Sequence, residues 1–168
     1  YIGYGTLTIN GINTETKNVQ KLNASMYIEN NDPDGAIGGL VGACEQSSVN
    51  VENIKAVNLK VSGRNVKNIG GFIASSTGGT VNIKNYINNC ELSEITMNLD
   101  QSINSKDSYM GGLIGNHNKE VSISNVTITQ STFFGQRFVG GFTGQSTANI
   151  TISDCQENNV NIKAATNW

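Results

Sequence analysis

Two stretches decide the fold: Met110-Gly111-Gly112-Leu113-Ile114-Gly115 and, ten residues after its first glycine, Val121-Ser122-Ile123-Ser124-Asn125-Val126. The second alternates apolar and polar residues, the period of a strand with one buried face. Both recur along the chain. The glycine pair returns as Ile37-Gly38-Gly39-Leu40-Val41-Gly42, Ile69-Gly70-Gly71-Phe72-Ile73-Ala74 and Val139-Gly140-Gly141-Phe142-Thr143-Gly144, with intervals of 32, 41 and 29 residues between first glycines. The alternating stretch returns as Val49–Ile54, Val81–Tyr86 and Ile150–Cys155, and an earlier version, Leu7–Ile12, follows Tyr4-Gly5. Fixed-period similarity of this kind is the mark of a repeat architecture.

Each copy adds a third apolar stretch: Leu22/Ala24/Met26/Ile28, Val57/Leu59/Val61, Ile95/Met97/Leu99, Ile128 with Phe133, and Val160/Ile162. Three short strands per copy, without a helical period, predict an all-β fold: a right-handed parallel β-helix of about five coils. The copies run approximately 1–35, 36–67, 68–108, 109–137 and 138–168, forming one domain. Stacked about 4.8 Å apart, five coils make a rod about 24 Å long. The expected interior columns are Leu7/Val49/Val81/Val121/Ile150, Ile9/Val51/Ile83/Ile123/Ile152 and Leu40/Phe72/Leu113/Phe142.

A polar column accompanies them. Asn53, Asn85, Asn125 and Asp154 occupy one position, with Gly11 in the first copy. Asn and Gly tolerate the left-handed backbone of a tight turn, and stacked amides can hydrogen-bond as an asparagine ladder. The glycine pairs do not read as a phosphate cradle, which needs a helix N-terminus and often a Gly-Lys-Ser/Thr sequence. Glycine at a corner, for positive φ or close packing, is the expectation.

Composition sets the outer bounds. The chain has 168 residues, suited to one domain. Charged residues are 14% of the total and the net charge is −2. That argues against nucleic-acid binding, which needs a basic stripe. No apolar run approaches the ~18 residues of a membrane-spanning helix, so no membrane insertion is expected. Nineteen glycines against one proline favour short strands and many turns. The chain opens Tyr1-Ile2-Gly3 without an initiator Met or signal-peptide pattern, and is expected to be a segment of a longer protein.

Gly39-Leu40-Val41-Gly42 and Gly112-Leu113-Ile114-Gly115, each followed by a V-x-V/I-x-N stretch, resemble the GLUG repeat. Phe72-Ile73-Ala74 and Phe142-Thr143-Gly144 look like degenerate versions, and the resemblance spans roughly residues 36–163. It implies a large surface or secreted protein: an adhesin, or the non-catalytic region of an immunoglobulin A-cleaving metallopeptidase. No HExxH sequence is present. The resemblance therefore implies a stalk or display module, outside the cell or on its surface.

Some parallel β-helices are polysaccharide lyases or hydrolases, which need clustered carboxylates or a calcium site beside a basic residue. Here Asp32, Asp34, Asp100 and Asp107 are placed in loops, with Arg64 and Arg137 in corners and Glu94 nearby. Their convergence in one groove is the enzymatic alternative; otherwise the residues designate no catalytic group, metal or cofactor. Asn30-Asn31-Asp32-Pro33-Asp34-Gly35 reads as a turn, since it lacks the later glutamate of a calcium loop. His117 reads as a solvated turn residue, and Cys155 as a small buried apolar one. Cys44, after a glycine corner, and Cys90, in a connection, are candidates for exposure. Three irregularly spaced cysteines argue against a disulfide framework or zinc site.

Length variation points to a working edge. Extra residues fall at Asn13–Lys21, Asn30–Gly35, Ile87–Glu94 and Asp100–Ser108. Insertions in a solenoid line up along one edge, where recognition is usually placed. Asp32, Asp34, Asp100 and Asp107 are therefore the expected partner-contact loops, for glycans or host surface proteins. Asn23, Asn125 and Asn149 begin glycosylation sequons. Uncapped end coils invite further segments of the same protein, or neighbouring copies, to stack end to end.

Overall fold

The computed structural model describes residues 5–11, 21–22, 25–29, 35–64, 66–78, 84–100 and 108–165. Among the described residues there is no helix; the chain is all strand and turn. Every strand pairing is parallel.

The strands make three sheets, of 4, 4 and 11 strands. The first stacks Ala36–Gly38, Asn68–Gly70, Tyr109–Gly111 and Phe138–Gly140. The second stacks Val41–Glu45, Ile73–Thr77, Ile114–His117 and Thr143–Ser146. The third and largest includes Gly5–Asn10, Ser47–Glu52, Lys84–Ser93, Glu120–Gly135 and Gln156–Ala164. In each sheet a strand pairs with its counterpart in the next copy, so equivalent residues lie beside one another.

The glycine pairs form the corner between the first two sheets. Their role is close approach, because none of the eight has a positive φ. A Cβ on Gly39 would collide with the carbonyl oxygen of Gly71, one on Gly71 with that of Gly112, and one on Gly112 with that of Gly141. The amides of Gly39, Gly71 and Gly112 each donate 3.2 Å to the first glycine's carbonyl in the next copy. A side chain there would push successive copies apart.

Past the corner the chain turns its large residue inward. The Leu40 amide bonds the Phe72 carbonyl, Phe72 bonds Leu113, and Leu113 bonds Phe142, each at 3.0 Å. Phe72 and Leu113 are fully buried, while Leu40 and Phe142 are partly so. The core then runs through Val49, Val51, Ile87, Leu92, Ile123, Ile128 and Phe133.

The large sheet is bent by single left-handed residues. Asn53, Asn89, Asn125 and Asp154 have φ of 56°, 53°, 52° and 53°. A second column follows five residues later: Asn58, Glu94, Gln130 and Asn159, with φ between 48° and 57°. The sequence reading took the segments around these two positions as separate strands. In Glu120–Gly135 pairing instead runs on through both bends as one 16-residue strand.

One copy departs from the expected register. Ile87 pairs with Val51 and Ile123, and Asn85 with Val121. Residues 81–83, assigned by sequence to the interior columns, lie outside the described residues. The interior columns are therefore Leu7/Val49/Asn85/Val121/Ile150 and Ile9/Val51/Ile87/Ile123/Ile152. The physical reason is downstream. Only this shift puts Cys90 and Leu92 beside Val126 and Ile128, all buried, and leaves Tyr86 outward. Ile87–Glu94 is accordingly strand and bend, not an inserted loop.

Candidate functional site

The exposed polar ladder follows from that register. The Asn53 Nδ2 donates to Asn10 Oδ1 at 3.2 Å, and the Asn89 Nδ2 donates to Asn53 Oδ1 at 2.6 Å. The Asn125 Nδ2 donates 3.3 Å to Asn88 Oδ1, which also accepts from the Ser124 hydroxyl at 3.0 Å. Asn89 thus takes the place that the sequence reading gave to Asn85. The signal that finds it is the repeated spacing Asn53-Ile54-x-Ala56-x-Asn58, Asn89-Cys90-x-Leu92-x-Glu94 and Asn125-Val126-x-Ile128-x-Gln130. Beside the ladder, Ile54, Lys55, Asn89, Cys90, Glu91, Asn125 and Thr127 line a shallow groove, crossed by a Lys55–Glu91 ion pair at 2.6 Å.

Asn85 itself is buried inside the sheets. Its Oδ1 accepts from the Val49 amide at 3.0 Å and its Nδ2 donates to the Ser76 hydroxyl at 2.8 Å. It belongs to a polar seam set in the apolar interior. Cys44 and Ser76 pair in the second sheet, Ser76 pairs with His117, and all three are fully buried. Lys119, 5% exposed, sends its Nζ to the Ser47 carbonyl at 3.0 Å, the Cys44 carbonyl at 3.3 Å and the Cys44 Sγ at 3.8 Å.

His117 is therefore not a solvated turn residue. It ends the strand Ile114–His117, points inward, and its Nδ1 lies 3.0 Å from the Lys119 carbonyl. Its Nε2 is buried without a hydrogen-bond partner. Burial holds the imidazole below its usual pKa, opposed by the Lys119 carbonyl. Burial likewise pushes the Lys119 amine down, while Cys44 and Glu45 pull it back.

The cysteines are also resolved. Cys44 and Cys90 are buried, against the idea that they stand exposed, and Cys155 is partly buried against the core. Cys90 faces Val126, in the column of Ile54, where sequence placed Tyr86. Burial raises the Cys90 thiol to about 11, so it stays protonated and inert near neutral pH.

The carboxylates do not assemble on the described residues. Asp32, Asp34 and Asp107 lie outside them. Asp100 is the last residue of the strand Thr96–Asp100, opposite Arg64 of Lys60–Arg64; both had been placed in loops. Glu94 is exposed at a left-handed bend. Among the described residues, no group of three or more His, Cys, Asp or Glu side chains is placed to hold a metal ion.

Arg137 lies 5.2 Å over the Phe138 ring, which stacks at 5.3 Å on the buried Tyr109. Of the sequons, Asn125 is exposed but engaged in the ladder, Asn149 is exposed, and Asn23 lies outside the described residues. Comparison with protein-family models, with curated proteins and with solved structures finds no match.

Proposed function

We propose that this chain is a non-catalytic structural or adhesive module, a right-handed parallel β-helix of about five coils that serves as stalk or display scaffold. The single observation that carries the reading is the unbroken parallel stacking of equivalent residues from copy to copy. In such an array each copy's buried face is completed by its neighbours, and length is gained by adding copies. The resemblance to GLUG repeats supports a place in a surface, secreted or filamentous protein. The exposed Asn ladder and the Lys55–Glu91 ion pair beside it present a regular polar face. The carboxylates Asp32, Asp34, Asp107 and Asp100, the last of these at a strand end, are the proposed contact edge for glycans or surface proteins.

The test has two arms. Beads bearing the chain should adhere to glycan- or protein-coated surfaces, and replacing the four aspartates by asparagine should release them. Incubation with acidic and neutral polysaccharides should yield neither new reducing ends nor unsaturated uronates. Adhesion indifferent to all four substitutions would remove the proposed edge. Turnover abolished by Asp100→Asn would replace the scaffold reading with a carbohydrate-active one.

A further inference from the structure

The buried seam holds an arrangement that a scaffold does not need. Lys119 belongs to the fourth copy and Cys44 to the second, 75 residues earlier. Lys119 lies two residues past the strand Ile114–His117, and that strand is separated from Val41–Glu45, which carries Cys44, by one strand, Ile73–Thr77. The lysine reaches across it, so that its Nζ sits 3.8 Å from the Cys44 Sγ. A lysine is almost never buried unless its ammonium is paired. Here its ammonium donates to two carbonyls and a thiol, and the Glu45 carboxylate also favours its charged form.

We propose that Lys119 and Cys44 form a reversible covalent lock, an N–O–S bridge made with dioxygen as oxidant, that fastens the second copy to the fourth. The balance is Lys–NH2 + Cys–SH + O2 → Lys–NH–O–S–Cys + H2O. One N–H and the S–H bond break, and N–O and O–S bonds form. Nitrogen and sulfur each lose two electrons; one oxygen atom becomes the bridge and the other leaves as water. Two equivalents of a dithiol reductant, each oxidised to its disulfide, supply the four electrons and four protons that return the amine and thiol and release the bridging oxygen as water.

Three features of the site favour the reaction. The two atoms face each other, and the flexible four-carbon stem of lysine can close the remaining gap. The nucleophile must be the neutral amine, the form that burial favours. The site is enclosed, so a Cys–S–O–OH group formed there by addition of dioxygen to the thiol meets the amine before it meets water. The nitrogen attacks the sulfur-bound oxygen, the O–O bond breaks, and the outer oxygen leaves as water with the amine's proton. All three thiols donate to a backbone carbonyl, Cys44 to Ser47, Cys90 to Asn88 and Cys155 to Ser153; what sets Cys44 apart is the Lys119 amine beside its sulfur.

Peptide mapping tests the lock on the full chain. Protein held in air-saturated buffer is compared with protein held under dithiothreitol, each digested with trypsin. A bridged Lys119 is not cleaved, so residues 22–55 should appear joined to residues 107–137. The joined species should be about 14 Da heavier than the sum of its parts, one oxygen gained and two hydrogens lost. Dithiothreitol should abolish it, Cys90→Ala should retain it, and Lys119→Arg or Cys44→Ser should eliminate it. Oxidised protein should also unfold at a higher temperature than reduced protein. Normal cleavage at Lys119, with Cys44 unmodified or carried to sulfinic acid alone, overturns the proposal, as does loss of the joined species in Cys90→Ala. The wild-type digest decides the matter even if a variant fails to fold.

Discussion

Ile123 and Ile152 occupy one interior column in adjacent copies, yet the first is fully buried and the second is 46% exposed. The same contrast runs along the whole last copy. Strand Glu120–Gly135 alternates buried and partly exposed residues, whereas Gln156–Ala164 is exposed at nearly every position and leaves Ile162 39% open. The two strands are paired residue for residue, so the difference is not one of local conformation. In a stacked array an inward side chain is covered from above and below, and the last described copy has only one of these neighbours. Its sequence carries a matching change: Glu157 stands in register with Ile128, its carboxylate against Gly141.

The strongest test of this comparison is a pair of truncations. Ile123→Ala should cost about 2–5 kcal/mol, the usual loss for a fully buried isoleucine. Ile152→Ala should cost less than about 1 kcal/mol, because solvent already reaches much of the side chain. Urea denaturation of both variants measures the difference, and equal losses would break the idea that neighbouring copies supply the burial.

The next effect concerns the corner. Gly71→Ala inserts a methyl against the backbone of Gly112 and should cost about 1–3 kcal/mol as overpacking. Gly42→Ala meets its nearest atom, the Ala36 carbonyl, at 3.4 Å and should stay within about 0.5 kcal/mol of the parent. Thermal melts of the two would sharpen the assignment of the glycine pair to close approach.

A smaller effect is expected at the bends. Asn89→Ala places alanine in the left-handed region and should cost about 1–2 kcal/mol, while Asn89→Gly should be nearly neutral. Asn159→Ala, in the open last copy, should cost less, because that strand can relax. Denaturation midpoints for the three variants rank them; a larger loss at Asn159 would contradict the contrast between copies.

The smallest effect is in pH, and it has opposite signs in the two regions. Burial holds the His117 imidazole below its usual 6.5, so the folded state prefers it neutral. Below that pH the unfolded chain binds the proton more readily, and stability declines. Burial holds the Glu157 carboxyl above its usual 4.5, so its unfavourable contribution fades as the pH falls through its raised folded pKa. Denaturation midpoints at pH 7.5 and 5.5 should show a fall that His117→Gln removes and Glu157→Gln leaves in place.

Much of this architecture was legible along the chain. The glycine corner, the inward residue after it and the bends at Asn53, Asn125 and Asp154 all sit where the repeated spacing puts them. The third copy was not. Val81-Asn82-Ile83-Lys84-Asn85 and Asn85-Tyr86-Ile87-Asn88-Asn89 both approximate the alternating template, and a period-two pattern slides by an even number without changing which residues face inward. Asn85 looked like a turn residue, yet both polar atoms of its amide are bonded indoors, to Val49 and Ser76. His117 was missed for the same reason. Its flanking asparagines suggest a loop, but the strand Ile114–His117 directs it inward beside Ser76.

By itself, then, the sequence determined the parallel all-β class and, outside the third copy, the residues of the inward columns, because strand period and glycine spacing act locally and recur. Only the tertiary structure decided the register of the third copy, the polar seam that joins Cys44 to Lys119, and which copies have dry interiors. Those depend on what a side chain meets in the neighbouring copies, and contacts between residues tens of positions apart leave no trace in local composition.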